Sequence, residues 1–377
     1  KKCRLDRQIR RLIRANVRTP EEREGDRLAQ WMSLERGRKR LLDLVAGRGL
    51  EAVRRNAAFL CDYSERLVRD TLSRIPDGDY TFEDQLDDDG AGSPPVPVRV
   101  TIRIRQDEGE RDFTGSAPQT PGPMNANYAI CLAATLYVFR CLLREDAPAN
   151  AGTLRPIRVI APNGTVVNAI PPAAIAAGNV ETSQRITDVL LGALASALPG
   201  HIPAASQGTM NNLSFGGWDA TRSRAFAYYE TIAGGQGASA HGPGASGMHS
   251  HMTNSWNTPV EALEHQYPLR VAKLRLNRGS GGAGQFPGGD GILKEIEFLT
   301  DCRVSLLTDR RIGRPYGVAN GESAQPGRNR FRSGGKWSDV AAKSEFRVRS
   351  GDRIRIETPG GGGYGNPQSK AAEHNRR

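Results

Sequence analysis

The sequence predicts an α+β fold with an N-terminal helical hairpin, a mixed α/β core and a C-terminal β-rich region. Three observations carry this expectation. Apolar residues recur at helical spacing through residues 1–78, the pattern switches to strict alternation at 98–104, and short apolar runs bounded by glycine return after Pro268. The same changes divide the chain into a basic helical region at 1–78, a core at 79–265, a β-rich region at 266–365 and a loose polar tail at 366–377.

Thr19-Pro20-Glu21-Glu22 places a capping threonine before a proline at the first helical position, with a glutamate three residues after the cap. Leu28, Met32, Leu41, Leu42 and Val45 follow at helical spacing, and Gly47-Arg48-Gly49 ends the helix. Leu50, Val53, Ala57, Leu60, Leu67, Val68 and Leu72 mark a second helix, closed by the turn Pro76-Asp77-Gly78, so an antiparallel hairpin is expected. Val98, Val100, Ile102 and Ile104 then share one face of a strand, with 80–86 as its partner. Asp87-Asp88-Asp89-Gly90 lies between them. It lacks the spacing and terminal glutamate of a calcium loop and is expected to be a solvated turn. Residues 125–144 and 181–198 are apolar enough for buried helices, and 269–276, 292–298, 304–307 and 353–357 read as strands.

Composition excludes several classes. With 377 residues, 38% hydrophobic and 25% charged, the chain is neither disordered nor a membrane protein. The apolar run 128–143 is broken by Arg140 and is too short to span a bilayer. Cys3, Cys61, Cys131, Cys141 and Cys302 are dispersed, and no secretory signal opens the chain, which points to reduced thiols and a cytoplasmic setting. Most of the net charge of +11 falls in the first 78 residues, where 20 Lys and Arg meet 12 Asp and Glu. These charges alternate in sign and lack interleaved aromatics, so a solvated face or a dock for an acidic partner is expected rather than nucleic-acid binding.

Two GxGxxG matches, at 279–284 and 360–365, run into Gln285-Phe286-Pro287 and Asn366-Pro367, so neither opens the helix that a dinucleotide site requires. Gly335-Lys336 is followed by Trp337 and makes no Walker A loop, which places any ATP site on another chain. No GxSxG nucleophile elbow occurs.

What remains is a series of dense polar blocks. They offer Asn125, Asn179, Glu181, Gln184, Gln207, Asn211, Asn212 and Asn254 as substrate-binding side chains, because amides donate and accept without charge and suit an amide or imide ring. Gly234 and Gly235 would let backbone N–H groups approach the substrate. Glu230, His249 and His251 are the candidate catalytic groups. The two histidines, spaced two apart, would share a strand face where they could shuttle a proton or bind metal.

The blocks also carry a resemblance. In order along residues 10–366 the chain reads Asn-Val-Arg-Thr-Pro at 16–20, Asp112-Phe113-Thr114-Gly115, Gly178-Asn179-Val180-Glu181-Thr182-Ser183-Gln184-Arg185 and Gln207-Gly208-Thr209-Met210-Asn211-Asn212. Tyr229-Glu230, 249–254 with Thr258-Pro259-Val260-Glu261, Ser280-Gly281-Gly282-Ala283-Gly284 and Thr358-Pro359-Gly360-Gly361-Gly362-Gly363-Tyr364-Gly365 follow. This series resembles the hydantoinase B/5-oxoprolinase family. The resemblance implies ATP-dependent hydrolysis of a small cyclic amide such as 5-oxoproline or N-methylhydantoin, with ATP bound by a hydantoinase A-type partner in a hetero-oligomer. It also implies a divalent metal, zinc or manganese, whose His and Asp ligands are expected in an N-terminal segment that this sequence does not contain. The chain alone is therefore expected to be inactive. A branch of the family implies ketone carboxylation instead, and a scaffold for the A subunit is the non-catalytic alternative. Pro287 departs from the family, which carries arginine there.

Overall fold

The helices and strands form three sheets and two apolar cores in the computed structural model, which describes residues 6–144 and 146–368. The expected loose tail lies outside the described residues from 369 onward, as does Cys3. Cys61, Cys131, Cys141 and Cys302 are unbridged. No helix among the described residues is long and apolar enough to cross a membrane.

The N-terminal region is helical, as expected. Helices α1 (Arg7–Ala15), α2 (Pro20–Arg48) and α3 (Leu50–Leu72) follow one another, with Gly49 at φ 79° joining the last two. Neither α1 nor α2 buries a residue, and Leu28, Met32, Leu41 and Leu42 are exposed, so the apolar stripe expected inside the hairpin faces outward. Thr19 caps α2 without a side-chain hydrogen bond. The C-terminal half of α3 is anchored: Val68 and Leu72 enter the first core.

Alternation sets the next layer. β1 (Gly78–Leu86) and β2 (Val96–Arg105) pair antiparallel, followed by β3 (Glu108–Asp112) and, parallel to it, β4 (Ile157–Ile160). Val96, Val98, Val100, Ile102 and Ile104 are all buried, each contributing about 1.5–3 kcal/mol by leaving water. They face α5 (Ser183–Ala197), which is buried along most of its length, and α4 (Tyr128–Cys141) packs against α5 and joins the same core. Asp87 and Asp89 overturn the expected solvated turn, because both are buried. Asp87 accepts the backbone N–H groups of Arg311, Ile312 and Gly313, and Asp89 those of Ala91, Ser93 and Gly122. Backbone donors supply what solvent was expected to supply.

The second core lies between two further sheets. One orders β11 (Lys336–Asp339), β10 (Arg328–Ser333), β13 (Arg353–Glu357), β8 (Gly291–Phe298) and β7 (Leu269–Asn277). The other orders β12 (Lys343–Val348), β9 (Cys302–Leu307), β5 (Asn212–Asp219) and β6 (Arg224–Glu230), so it draws strands from both sides of residue 265. A short helix, α6 (Val260–Gln266), adds Leu263 to this core.

Two features join the cores. Arg185 on α5 pairs with Asp84 on β1 at 2.6 Å and with Asp309 at 3.3 Å, while Arg310 reaches Asp84 at 2.6 Å and Asp188 at 2.7 Å. Every member except Asp84 is essentially unexposed, so each charge depends on the others for compensation. The second feature is glycine packing. The two GxGxxG segments lead into no helix and instead lie against each other, with Gly282 N–H donating to Gly361 O at 2.9 Å. A β-carbon on Gly288 would stand 1.8 Å from Gly361 O, so side chains are excluded by the neighbouring backbone.

Candidate functional site

Residues Gly178–Thr182 form a π-helical turn that feeds α5 and carries Glu181 to the junction of the two cores. Such turns are rare and recur at functional sites. Glu181 is wholly buried. Its Oε1 accepts Met210 N–H at 3.1 Å and Asn212 Nδ2 at 2.7 Å, whereas Oε2 has no partner. Asn212 is itself held by Tyr229, whose hydroxyl donates to Oδ1 at 2.5 Å. Burial, aided by the Asp309 charge, pushes the Glu181 carboxyl up to about 7 against the opposing pull of Thr209 and Lys343.

Gln207 and Asn211 stand beside this group. Asn211, at φ 49°, donates to Gln207 Oε1 at 2.7 Å and to Ile232 O at 3.1 Å, and accepts Arg311 at 2.8 Å. Gln207 Nε2 is left unpartnered. Gly234 lies directly over Gln207. Its N–H donates to Met248 O and that of Gly235 donates to Pro359 O, which corrects the expectation that these amides face substrate. Their role is close packing. Gln184 donates to Ser250 O at 3.1 Å and keeps Oε1 free.

Glu230 ends β6 and meets Lys294 of β8 at 2.5 Å through Oε1, while Oε2 accepts Tyr228 at 3.2 Å and Asn257 at 3.2 Å. Lys294 escaped the sequence reading, although a signal was present: it is in phase with the buried Ile296 and Phe298 on the same strand. Asn257 gave no such signal.

The histidines do not share a strand face. Residues 251–252 form a turn, with His251 at φ 58°, and the two rings have separate neighbours. His251 lies edge-on to Tyr137, with Nδ1 at 3.3 Å from its hydroxyl, and burial pushes it down to about 4. His249 is half-buried near Thr253, and burial lowers it against the opposing influence of Asn257 and Glu230. Asn125 is a structural pin, donating to Thr120 O, Gly122 O and Ala174 O. Asn179 and Asn254 are exposed.

The remaining polar blocks come together. Ile232 N–H bonds to Met210 O, Gln207 N–H to Gly235 O, and Gly234 pairs with Met248, so 207–212, 231–235 and 248–251 are neighbouring segments. Glu181 Oε2, Gln184 Oε1, Gln207 Nε2, Thr231 Oγ1, His249 Nε2, Ser250 Oγ and His251 Nε2 are buried there without a partner. Buried polar atoms are nearly always satisfied within a fold. These free donors and acceptors lie on segments that backbone hydrogen bonds bring side by side. Among the described residues no group of three His, Cys, Asp or Glu is arranged to hold a metal ion, and the divergence of His249 and His251 gives the reason here. These residues do not by themselves fit the expected metal.

Comparison with known proteins decides the family. The family model for Hydantoinase B/oxoprolinase matches residues 1–367. The chain belongs to that family. An uncharacterised protein of Methanocaldococcus jannaschii is 37% identical over 97% of this chain, and a 5-oxoprolinase of Dictyostelium discoideum is 36% identical over 93%. The chain spans 63% of the former and 27% of the latter. An ATP-dependent caprolactamase from Pseudomonas jessenii superposes with a TM-score of 0.84 at 25% identity, covering 98% of this chain and 66% of its own. An acetone carboxylase superposes at 0.87 with 18% identity, covering 99% of this chain and 57% of its own, a likeness of fold.

Proposed function

We propose that this chain is the ring-handling component of an enzyme that opens small cyclic amides at the expense of ATP, working beside a hydantoinase A-type ATPase. The cluster of seven unpartnered buried polar atoms carries the reading. A lactam presents one carbonyl acceptor and one N–H donor, and Gln207 Nε2 and Gln184 Oε1 offer the matching donor and acceptor. Relatives named 5-oxoprolinase and the structural likeness to a caprolactamase point to the same substrate class.

An unstrained lactam is a poor electrophile, so phosphoryl transfer from ATP supplies the activation. The residues of this chain orient the ring and stabilise the charge that develops on it. His249, neutral because burial lowers it, is an acceptor for protons at neutral pH.

Mixing the chain with the A-type component, a polypeptide that supplies the expected metal-binding segment with its divalent metal, ATP and a panel of 5-oxoproline, N-methylhydantoin and caprolactam tests the proposal. ATP-dependent ring opening is the expected result. Ring opening that never appears, while bicarbonate-dependent consumption of a ketone does, would establish carboxylation in its place. Neither activity in an assembled complex would leave a scaffold.

A further inference from the structure

Two buried carboxylates lie among the polar blocks, and their surroundings differ. Glu230 is saturated, with Lys294 on one oxygen and Tyr228 and Asn257 on the other. Glu181 is anchored through Oε1, by Met210 N–H and Asn212 Nδ2, with the Thr209 side chain also acting on the carboxyl, and its buried Oε2 has no hydrogen-bond partner. Anchoring one oxygen while freeing the other is the arrangement a proton-transfer group needs.

We infer that Glu181, through Oε2, is the catalytic carboxyl group that takes and returns the proton during ring opening. This inference rests on the ring-opening reading above. As the oxygen of a water molecule bonds to the ATP-activated carbonyl carbon, Oε2 takes its proton. The tetrahedral intermediate then expels the ring nitrogen, the C–N electron pair passes to nitrogen, and Glu181 returns the proton there. One water is consumed, one C–N bond is broken and the carboxylate is regenerated; the opened product carries the phosphoryl group as an acyl phosphate, which a second water cleaves to the free acid and inorganic phosphate.

The charged and titratable groups acting on Glu181 are Asp309, which favours its protonated form, and Lys343, which opposes this. Arg311 and Tyr229 feel its charge in return. Burial dominates and brings the carboxyl to about 7, where it can both accept and donate near neutral pH. The Tyr229–Asn212 pair fixes Oε1 and acts as a positioning element.

The test uses the assembled complex with ATP and lactam, comparing wild type with Glu181→Gln. Glutamine keeps an Oε1 acceptor for Met210 and Asn212, so the fold has no reason to fail. The expected result is a wild-type rate that falls below pH about 7 and a Glu181→Gln rate reduced by about 100-fold or more, with KM little changed. A complex whose wild type opens no ring overturns the ring-opening reading and this inference with it. An active wild type with an undiminished Glu181→Gln rate overturns the Glu181 assignment alone. Should the variant not assemble, the wild-type pH profile decides: a fall below about 7 supports the assignment, and a flat profile between about pH 6 and 8 overturns it.

Discussion

A β-carbon added to Gly234 would stand 2.0 Å from Oε1 of Gln207 and 2.8 Å from its β-carbon. The glycine thus sets the position of Gln207, whose buried Nε2 has no hydrogen-bond partner. Gln207 is buried and hydrogen-bonded to Asn211, so it cannot swing aside cheaply. Gly234→Ala is expected to cost about 1–3 kcal/mol in stability. It should lower ring opening more than Gly25→Ala, where nothing lies within 4 Å. Urea unfolding and turnover measured on both variants check this.

Lys294 and Glu230 form a closed pair, each side chain about 5% exposed or less. Lys294→Met leaves Glu230 buried without its counter-charge and is expected to cost about 3–5 kcal/mol. Adding Glu230→Gln to Lys294→Met should recover part of the loss, which a double-mutant cycle by chemical denaturation would show.

Stability should also respond to Glu181 as pH changes. Its folded-state value lies above the ordinary 4.5, at about 7, so the ionised form is penalised in the fold. Native stability is therefore fully present below about 4.5 and declines as pH rises through 7. Glu181→Gln removes that decline. The variant should gain on the order of 2 kcal/mol over wild type between pH 5 and pH 8, measured as the difference in urea midpoints.

His251 works in the opposite direction. Burial lowers it from 6.5 to about 4, so protons bind the unfolded chain more tightly and stability is lost as pH falls from 6.5 towards 4. His251→Asn suits the φ of 58° and should flatten thermal stability across that window.

Much of the fold was readable where one physical rule acts alone. The alternation at Val98–Ile104 gave β2 because only one face is buried, and the apolar density of 181–198 gave α5. Strands β5 and β6 were missed because Gly216 and Gly217 interrupt the first, and exposed Arg224 and Ala225 open the second. The acidic turn was misjudged because its satisfying donors at 311–313 lie more than 220 residues away. Side-chain chemistry named Glu181, Gln184 and Gln207 from sequence. Their unpartnered atoms, and the saturation of Glu230, depend on Lys294, Asn257 and Ser250 arriving from other segments.

The claim on which the functional account turns is that Glu181 and Gln207 face one bound ring. A structure of the complete assembly with a non-hydrolysable lactam measures this most directly. The account predicts ring atoms within about 3 Å of Gln207 Nε2 and a polar atom at the same distance from Glu181 Oε2. A lactam bound elsewhere, with both of those atoms still unpartnered, would contradict it.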